Sequence, residues 1–317
     1  MIATVTLNPA TDMTMSIPGF AVGRTNRGQV ERVDPGGKGI NVAKAVRQLG
    51  CPVVALGFQA GSGGQAIAGA LAERDIQVDF LEIPGETRVN LKIKDPVTGS
   101  ETEINQLGFH VDAEHLDRLA QKIEDYARRC TVMIYSGSLP PGTPIDIYAR
   151  FIRIARKAGA QTVLDTSGAA LKSGLAAGPE WIKPNRAEAE ELLATRLTGE
   201  AELADAARRL LTAGAGQVVL SLGAEGALAA SADQLWRAYP PAIQVRSSIG
   251  AGDAMVAALA YAILNQLPLA EALRLAVAAG AATTAMSGSS VAGLQTIWEL
   301  LPKVLIEAIR EPARVGS

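Results

Sequence analysis

The chain has 317 residues, 48% of them hydrophobic and only 4% aromatic, so Ala, Val, Leu and Ile must build a sizeable layered interior, and disorder is excluded. A formal charge of −2 excludes a global basic field for nucleic acid or anionic lipid, so any anion must be held by local positive groups. Cys51 and Cys130, too few for a disulfide framework and without metal-site spacing, read as two small buried hydrophobes in a reducing compartment.

Taken in chain order, MIATVTLNP has no cationic segment and reaches Asn8-Pro9 before an apolar signal core could form, so no export signal is read and a cytoplasmic location is expected. The β-branched runs ATVTL, PVVALGF, TVMIYSG, QTVLDTS, EWIKPN and QVVLSLG each precede an amphipathic stretch, the alternation of a parallel sheet covered by helices. Glycines delimit two of the helices, 40–49 at Gly50 and 145–158 at Gly159. A doubly wound α/β class follows.

Two segments break that rhythm. Residues 11–34 and 86–107 alternate without a following helix, and TRVNLKIKD-PVTG-SETEINQ reads as two strands joined by a Pro/Gly turn. The expected division is therefore a core of 1–10, 35–85 and 108–317 with a discontinuous accessory sheet of 11–34 and 86–107, suited to be a lid over a cleft. Asn265, Gln266, Pro268, Glu271 and Arg274 interrupt the Ala-rich stretch 255–286 and rule out a continuous membrane span. The terminal EPARVGS reads as a frayed end.

Three stretches carry chemistry. In SSIGAGDAM, Gly250, Ala251 and Gly252 let the backbone approach a ligand, and the N–H groups of the helix that follows, aided by its dipole, suit an anion hole for a transferring phosphoryl group. Asp253 beside it either accepts a proton from an attacking hydroxyl or is an N-cap after a glycine turn. In DPGGKGIN, Gly36, Gly37 and Gly39 form a loop with Lys38 inside it and Asn41 one turn into a helix. This is either a grip for sugar hydroxyls or phosphate, or a plain strand-to-helix turn. The phosphate-loop spacing G-x-x-x-x-G-K-[ST] is absent from the chain. In IKPNRAEAEELL, Asn185 and Glu188 have capping-box spacing; the functional alternative puts both beside nucleotide phosphates, with Glu188 holding Mg²⁺ through water.

One fingerprint competes. GSGGQA at 61–66, with Asp79 18 residues beyond Gly61, fits a dinucleotide-binding turn, but that reading leaves the other three stretches without a role. His110 and His115 open a polar helical stretch and read as surface residues.

TLNPATD, PGGKGIN, TRVN, SGSLPPG, DTSG, KPNRAE, SLGAEG and GAGDAM occur in this order. Together they resemble the PfkB (ribokinase-like) carbohydrate kinase family from about Ile2 to Leu301, most closely its phosphofructokinase and tagatose-6-phosphate kinase branch. The resemblance implies a ribokinase-like three-layer α/β/α core with a mostly parallel central sheet, and a small β-sheet lid that joins two subunits into a homodimer. It also implies ATP with Mg²⁺ and leaves room for a monovalent cation such as K⁺. Position by position, it makes Asp253 the base and Gly250, Ala251 and Gly252 the anion hole. Asp12, Gly36, Gly37, Asn41 and Ser138 match sugar contacts, Ser138 being otherwise a turn hydroxyl. Lys38 and Arg88 are cations suited to a substrate phosphate, with Arg24 or Arg27 of a neighbour's lid as a third. Lys183, Asn185, Glu188, Ser221, Gly223 and Gly226 match the nucleotide side.

The implied reaction is transfer of the γ-phosphate of ATP to a phosphorylated ketohexose. Lys38 resembles the 1-phosphofructokinase and tagatose-6-phosphate kinase pattern. DTSG and SGSLPPG resemble 6-phosphofructokinase at least as well, and Gly168 replaces an arginine typical of 1-phosphofructokinase. Fructose 6-phosphate is the favoured substrate on this reading, with fructose 1-phosphate or tagatose 6-phosphate as alternatives. A dinucleotide oxidoreductase and a non-catalytic sugar-phosphate sensor are the rival classes.

Overall fold

Ile2–Thr6 is buried at all five positions, as a strand covered by helices on both faces must be. Alternation sends Ala3 and Val5 into one hydrophobic core and Ile2 into another. The structure, a computed structural model, describes residues 1–286 and 291–309. The expected frayed end EPARVGS lies outside these residues.

The chain runs β1 (Ile2–Thr6), β2 (Ala10–Ser16), β3 (Gln29–Gly36), α1 (Lys38–Gln48), β4 (Val53–Gln59), α2 (Gly61–Ala72), β5 (Gln77–Glu82), β6 (Arg88–Lys94) and β7 (Glu101–Asn105). It continues through α3 (Ala113–Ala127), β8 (Val132–Ser136), α4 (Ile147–Lys157), β9 (Gln161–Asp165), α5 (Gly168–Leu175), β10 (Trp181–Ile182), α6 (Arg186–Leu193), α7 (Glu200–Thr212) and β11 (Gln217–Ser221). The last elements are β12 (Ala227–Ala230), β13 (Leu235–Tyr239), α8 (Ala251–Leu264), α9 (Leu269–Thr284), α10 (Leu294–Leu300) and β14 (Leu305–Ala308).

Ten strands form the large sheet in the order β14-β13-β12-β11-β10-β9-β8-β1-β4-β5. It is parallel from β11 to β5, and β12, β13 and β14 extend it antiparallel. Leu119 of α3, Phe151 of α4 and Leu210 of α7 fill the core on one face, and Ile40 of α1, Leu259 of α8 and Leu273 of α9 fill the other. This is the expected ribokinase-like three-layer core. Apolar on nearly every side, α8 is a central helix, and α1 packs directly on it. That contact brings the start of α1 to the start of α8.

The smaller sheet has the order β3-β2-β6-β7, with β2 and β6 parallel and its other pairs antiparallel. The two separated segments therefore join in one sheet. Its alternation has a consequence. Asp12, Thr14, Arg32, Asn90, Lys92 and Glu103 face a cleft toward the core, whereas Val33 and Ile104 point away, as does Val30 because a register shift in the β2–β3 ladder falls between it and Arg32; all three are about half exposed. Strands β5, β12, β13 and β14 are not among those read from the sequence; β12 and β14 have four residues each, and β12 is rich in Ala, which carries little β-propensity.

Cys51 and Cys130 are buried and unbonded to each other. Among the described residues no helix is long and apolar enough to cross a membrane.

Candidate active site

The start of α8 is open. Gly250, the N-cap, has φ of +78°, a left-handed conformation that glycine adopts without a Cβ penalty. No side chain caps the helix, so the N–H groups of its first turn face whatever anion lies before them. Asp253 is the third residue of the helix and is only 7% exposed. It does not cap, which removes the alternative reading. Instead its Oδ2 accepts a 3.0 Å hydrogen bond from Asn41 Nδ2. Burial, and next the charge of Asp165, push Asp253 up to about 6, against the opposing pull of Asn41, Lys38 and Lys183. A carboxylate with that pKa is ionised at neutral pH yet basic enough to take a proton.

Asp165, at the end of β9, is 1% exposed. Lys183 Nζ lies 3.4 Å and Lys38 Nζ 3.5 Å from its Oδ1, and Ser136 Oγ donates to its Oδ2 at 3.3 Å. Burial alone would raise its pKa, but Lys183 and Lys38 outweigh that and hold it below the usual carboxylate value. Lys38 also lies 3.8 Å from Glu188 Oε1. Burial works against the Lys38 ammonium, yet Asp165, Glu188 and Asp253 overcome it and the net direction is upward. Contrary to expectation, Lys38 is not inside a loop. It is the first residue of α1, with Gly37 as N-cap, and it faces Asp165 and Glu188, the side on which Lys183 stands. A Cβ on Gly252 would stand 3.4 Å from Lys183 Nζ, so that lysine borders the open helix start.

Where the residues expected to contact sugar gather, a cleft of about 500 Å³ lies between the two sheets, a volume suited to a small ligand. Asp12, Gly37, Lys38, Asn41, Arg88 and Ser138 all line it. Asp12 accepts a 2.8 Å bond from Asn90 Nδ2, and burial raises its pKa. A Cβ on Gly36 would meet the Asp12 carboxylate, so a side chain there would displace that carboxylate from its present place. Arg88 donates to Asn8 O at 3.1 Å and to Gln106 O at 3.2 Å, while its buried Nε has no partner. Asn8 in turn donates to Ser138 Oγ at 3.4 Å. Arg32, Lys92 and Asn90 also line the cleft and were not singled out; strand alternation in 29–36 and 88–94 was the available signal. Arg24 and Arg27 are exposed and do not line it.

The nucleotide candidates form a second group. Asn185 and Glu188 do make the capping box: Asn185 Oδ1 accepts from Glu188 N and Glu188 Oε2 from Asn185 N, both at 2.9 Å. Glu188 Oε1 is left facing Lys38, so the carboxylate that caps the helix also meets a cation. Ser221 bridges to Asn185 in parallel, and Gly223 and Gly226 close a 3-10 turn after β11. Arg237, buried in β13, clamps that turn by donating to Glu225 O at 2.6 Å and Ala227 O at 2.9 Å. Among the described residues no cluster of three or more His, Cys, Asp and Glu could cage a metal. A single Glu188 fits Mg²⁺, which keeps several waters and takes other ligands from phosphates.

The competing fingerprint fails on contacts. A Cβ on Gly61 would meet the Glu86 carboxylate, so a negative group already stands at the start of α2, where a pyrophosphate would sit. Asp79 is engaged by Lys122 at 2.5 Å and by the Tyr126 hydroxyl at 2.8 Å.

The pattern of the pfkB family carbohydrate kinases matches residues 6–296. A protein of Rhodobacter capsulatus named 1-phosphofructokinase is 40% identical over 278 residues, 87% of this chain and 88% of that one. A 1-phosphofructokinase of Bacillus subtilis is 34% identical over 306 residues, 96% and 99% of the two chains. The crystal structure of phosphofructokinase-2 from Escherichia coli in complex with potassium superposes with a TM-score of 0.91 at 30% identity, covering 95% of this chain and 98% of the other. A match spanning most of the chain, on a fold of the same topology, places it: the chain belongs to the PfkB family of carbohydrate kinases.

Proposed function

We propose that the chain transfers the γ-phosphate of ATP to the 6-hydroxyl of fructose 1-phosphate, giving fructose 1,6-bisphosphate and ADP. The observation that carries the kinase chemistry is the buried Asp253 beside the uncapped start of α8. Asp253 accepts the proton as the hydroxyl oxygen attacks phosphorus, and the bond from phosphorus to the β–γ bridging oxygen breaks. N–H groups of Gly250, Ala251 and Gly252 take the charge that develops on the phosphoryl oxygens. Asn41 aims the carboxylate. Lys38 and Lys183 stand where the two substrates meet, so Lys38 is given to the transferring phosphoryl rather than to the substrate's resident phosphate. Mg²⁺, when bound through Glu188 and water, supplies charge neutralisation on the nucleotide phosphates.

Arg88, with its unpartnered Nε, and the Arg32 and Lys92 side chains are the cations for the resident phosphate; Asp12 and Asn90 are placed for sugar hydroxyls. Charge by itself does not choose between fructose 1-phosphate and fructose 6-phosphate, because each carries one phosphate across the ring from the accepting hydroxyl and both give the same bisphosphate. The names of the relatives at 34–40% identity move the choice from fructose 6-phosphate to fructose 1-phosphate. A potassium requirement rests on the likeness to the Escherichia coli structure alone.

Turnover coupled to ADP formation, over fructose, fructose 1-phosphate, fructose 6-phosphate and tagatose 6-phosphate, tests this reading. Fructose 1-phosphate is expected to lead in kcat/KM by at least about tenfold. A lead for fructose 6-phosphate replaces the substrate and keeps the mechanism. Equal efficiency on free fructose removes the sugar-phosphate assignment, and no ADP with any sugar removes the kinase.

A further inference from the structure

Asp165 is the most deeply buried carboxylate of the site and has no part in the steps above. A buried carboxylate is costly unless it is paired, and this one has two partners from opposite sides of the reaction. Lys38 comes from the helix that follows the sugar loop, and Lys183 from the segment that leads into the nucleotide helix. Two ammonium groups driven to one place repel each other, and nothing in either local sequence requires them to meet. A single oxygen, Oδ1, lies 3.4 and 3.5 Å from the two nitrogens, while Ser136 fixes the other oxygen.

These are ion-pair distances rather than short hydrogen bonds, so each ammonium keeps N–H donors for phosphate oxygens. We propose that Asp165 is a positioning residue: one buried carboxylate shared by Lys38 and Lys183 holds both cations at the point of phosphoryl transfer. The proposal rests on the kinase reading. It gives the chain a means of presenting two positive charges at the transfer point without leaving them uncompensated before ATP binds.

The charged groups acting on Asp253 are Lys38 from α1, Lys183 ahead of α6 and Asp165 from β9. Asp165 opposes ionisation of the base while the lysines favour it. Removing the Asp165 charge therefore makes Asp253 a stronger acid, a signature that a purely structural residue lacks.

The experiment compares wild type, Asp165→Asn and Asp253→Asn by kcat and KM for ATP and fructose 1-phosphate across pH, with melting midpoints alongside. In folded Asp165→Asn, kcat is expected to fall about a hundredfold, the size of a small misplacement at a reacting centre, with a smaller change in either KM. The acid limb of kcat/KM is expected to move to lower pH. If Asp253→Asn keeps its rate, the base assignment fails, and the kcat of Asp165→Asn alone then judges the present proposal. Should Asp165→Asn not fold, Ser136→Ala, which removes only the hydroxyl on Oδ2, is expected to lower kcat severalfold. Wild-type kcat in a folded Asp165→Asn, or in Ser136→Ala where it is needed, overturns the proposal, as does a lowered kcat with an unmoved acid limb when Asp253→Asn is inactive.

Discussion

Asn41 Nδ2 donates to Asp253 Oδ2 at 3.0 Å, joining the first turn of α1 to the first turn of α8 beneath the cleft. The bond favours the ionised carboxylate, and burial disfavours it more. With Asp253 at about 6, kcat/KM should rise with pH through that value and level off above it, because only the unprotonated form accepts the proton. Asp253→Asn should cost a factor on the order of 10² to 10⁴ in kcat and abolish the limb. Asn41→Leu should move the limb to higher pH. A pH–rate profile of the three proteins decides it, and an unmoved limb in Asn41→Leu removes the coupling.

The same group should make the protein less stable where it is most active. Its folded pKa stands above the unfolded value of 3.8, so the folded chain binds this proton more tightly. Stability from that source is present below about pH 4 and is lost as pH rises through about 6, the opposite of a salt-bridged carboxylate. Asp253→Asn should then melt higher than wild type at pH 7, by a margin on the order of 2 kcal/mol, and close to it at pH 4. Calorimetry of ligand-free protein at both pH values tests the sign; a lower midpoint for the variant at pH 7 would reverse it.

Much of this was legible locally. The glycines before Asp253 and the Asn185–Glu188 spacing are short-range signals, and both are realised as helix starts. Three glycines around Lys38 read as a loop, but Gly37 suffices as N-cap and the helix begins at once. Asp165 stood in a recognised DTSG segment, yet its importance depends on Lys38 and Lys183, which meet it only in three dimensions. Arg32 and Lys92 point into the cleft because β3 and β6 both pair with β2, opposite Thr14, and no local pattern dictates either pairing.

Glu188 offers a separation of structural from chemical roles. Glutamine keeps an oxygen that can accept from Asn185 N, so Glu188→Gln should retain the cap and the melting midpoint, while Glu188→Ala loses that half of the capping box and should melt lower. Both variants remove the charge. Titration of activity with Mg²⁺ should therefore show a higher half-saturating concentration for the two alike. An unchanged Mg²⁺ requirement in Glu188→Gln would return Glu188 to capping alone.

Arg88→Ala should raise the KM for fructose 1-phosphate about ten- to a hundredfold, the range for one charged hydrogen bond of roughly 1.5–3 kcal/mol, and leave the KM for ATP close to wild type. Lys38→Met should do the reverse of this pattern: a fall in kcat with a smaller change in the sugar-phosphate KM, since its ammonium faces Asp165 and Glu188. Measuring both constants for both variants distinguishes the two ends of the cleft. Matching patterns in the two would merge their roles.

The small sheet has one polar face turned to the cleft and one apolar face turned outward, where Val30 and Val33 are 52% and Ile104 51% exposed. Exposed apolar area on a sheet is a liability unless it is covered, and a second copy of the same face is self-complementary in a two-fold dimer. Arg24 and Arg27 stand on the connection between β2 and β3, exposed and outside the lining of their own cleft. Light scattering at micromolar concentration should give a dimer. The paired substitution Val33→Lys and Ile104→Lys should shift it to monomer with little change in protomer folding, because both side chains are solvated in the single chain. If the partner's arginines complete the site, that monomer should also show a raised KM for the sugar phosphate and an unaltered KM for ATP, and Arg24→Ala or Arg27→Ala in the intact dimer should reproduce the rise. A fully active wild-type monomer would leave the apolar face without this occupant and confine the resident-phosphate cations to Arg32, Arg88 and Lys92.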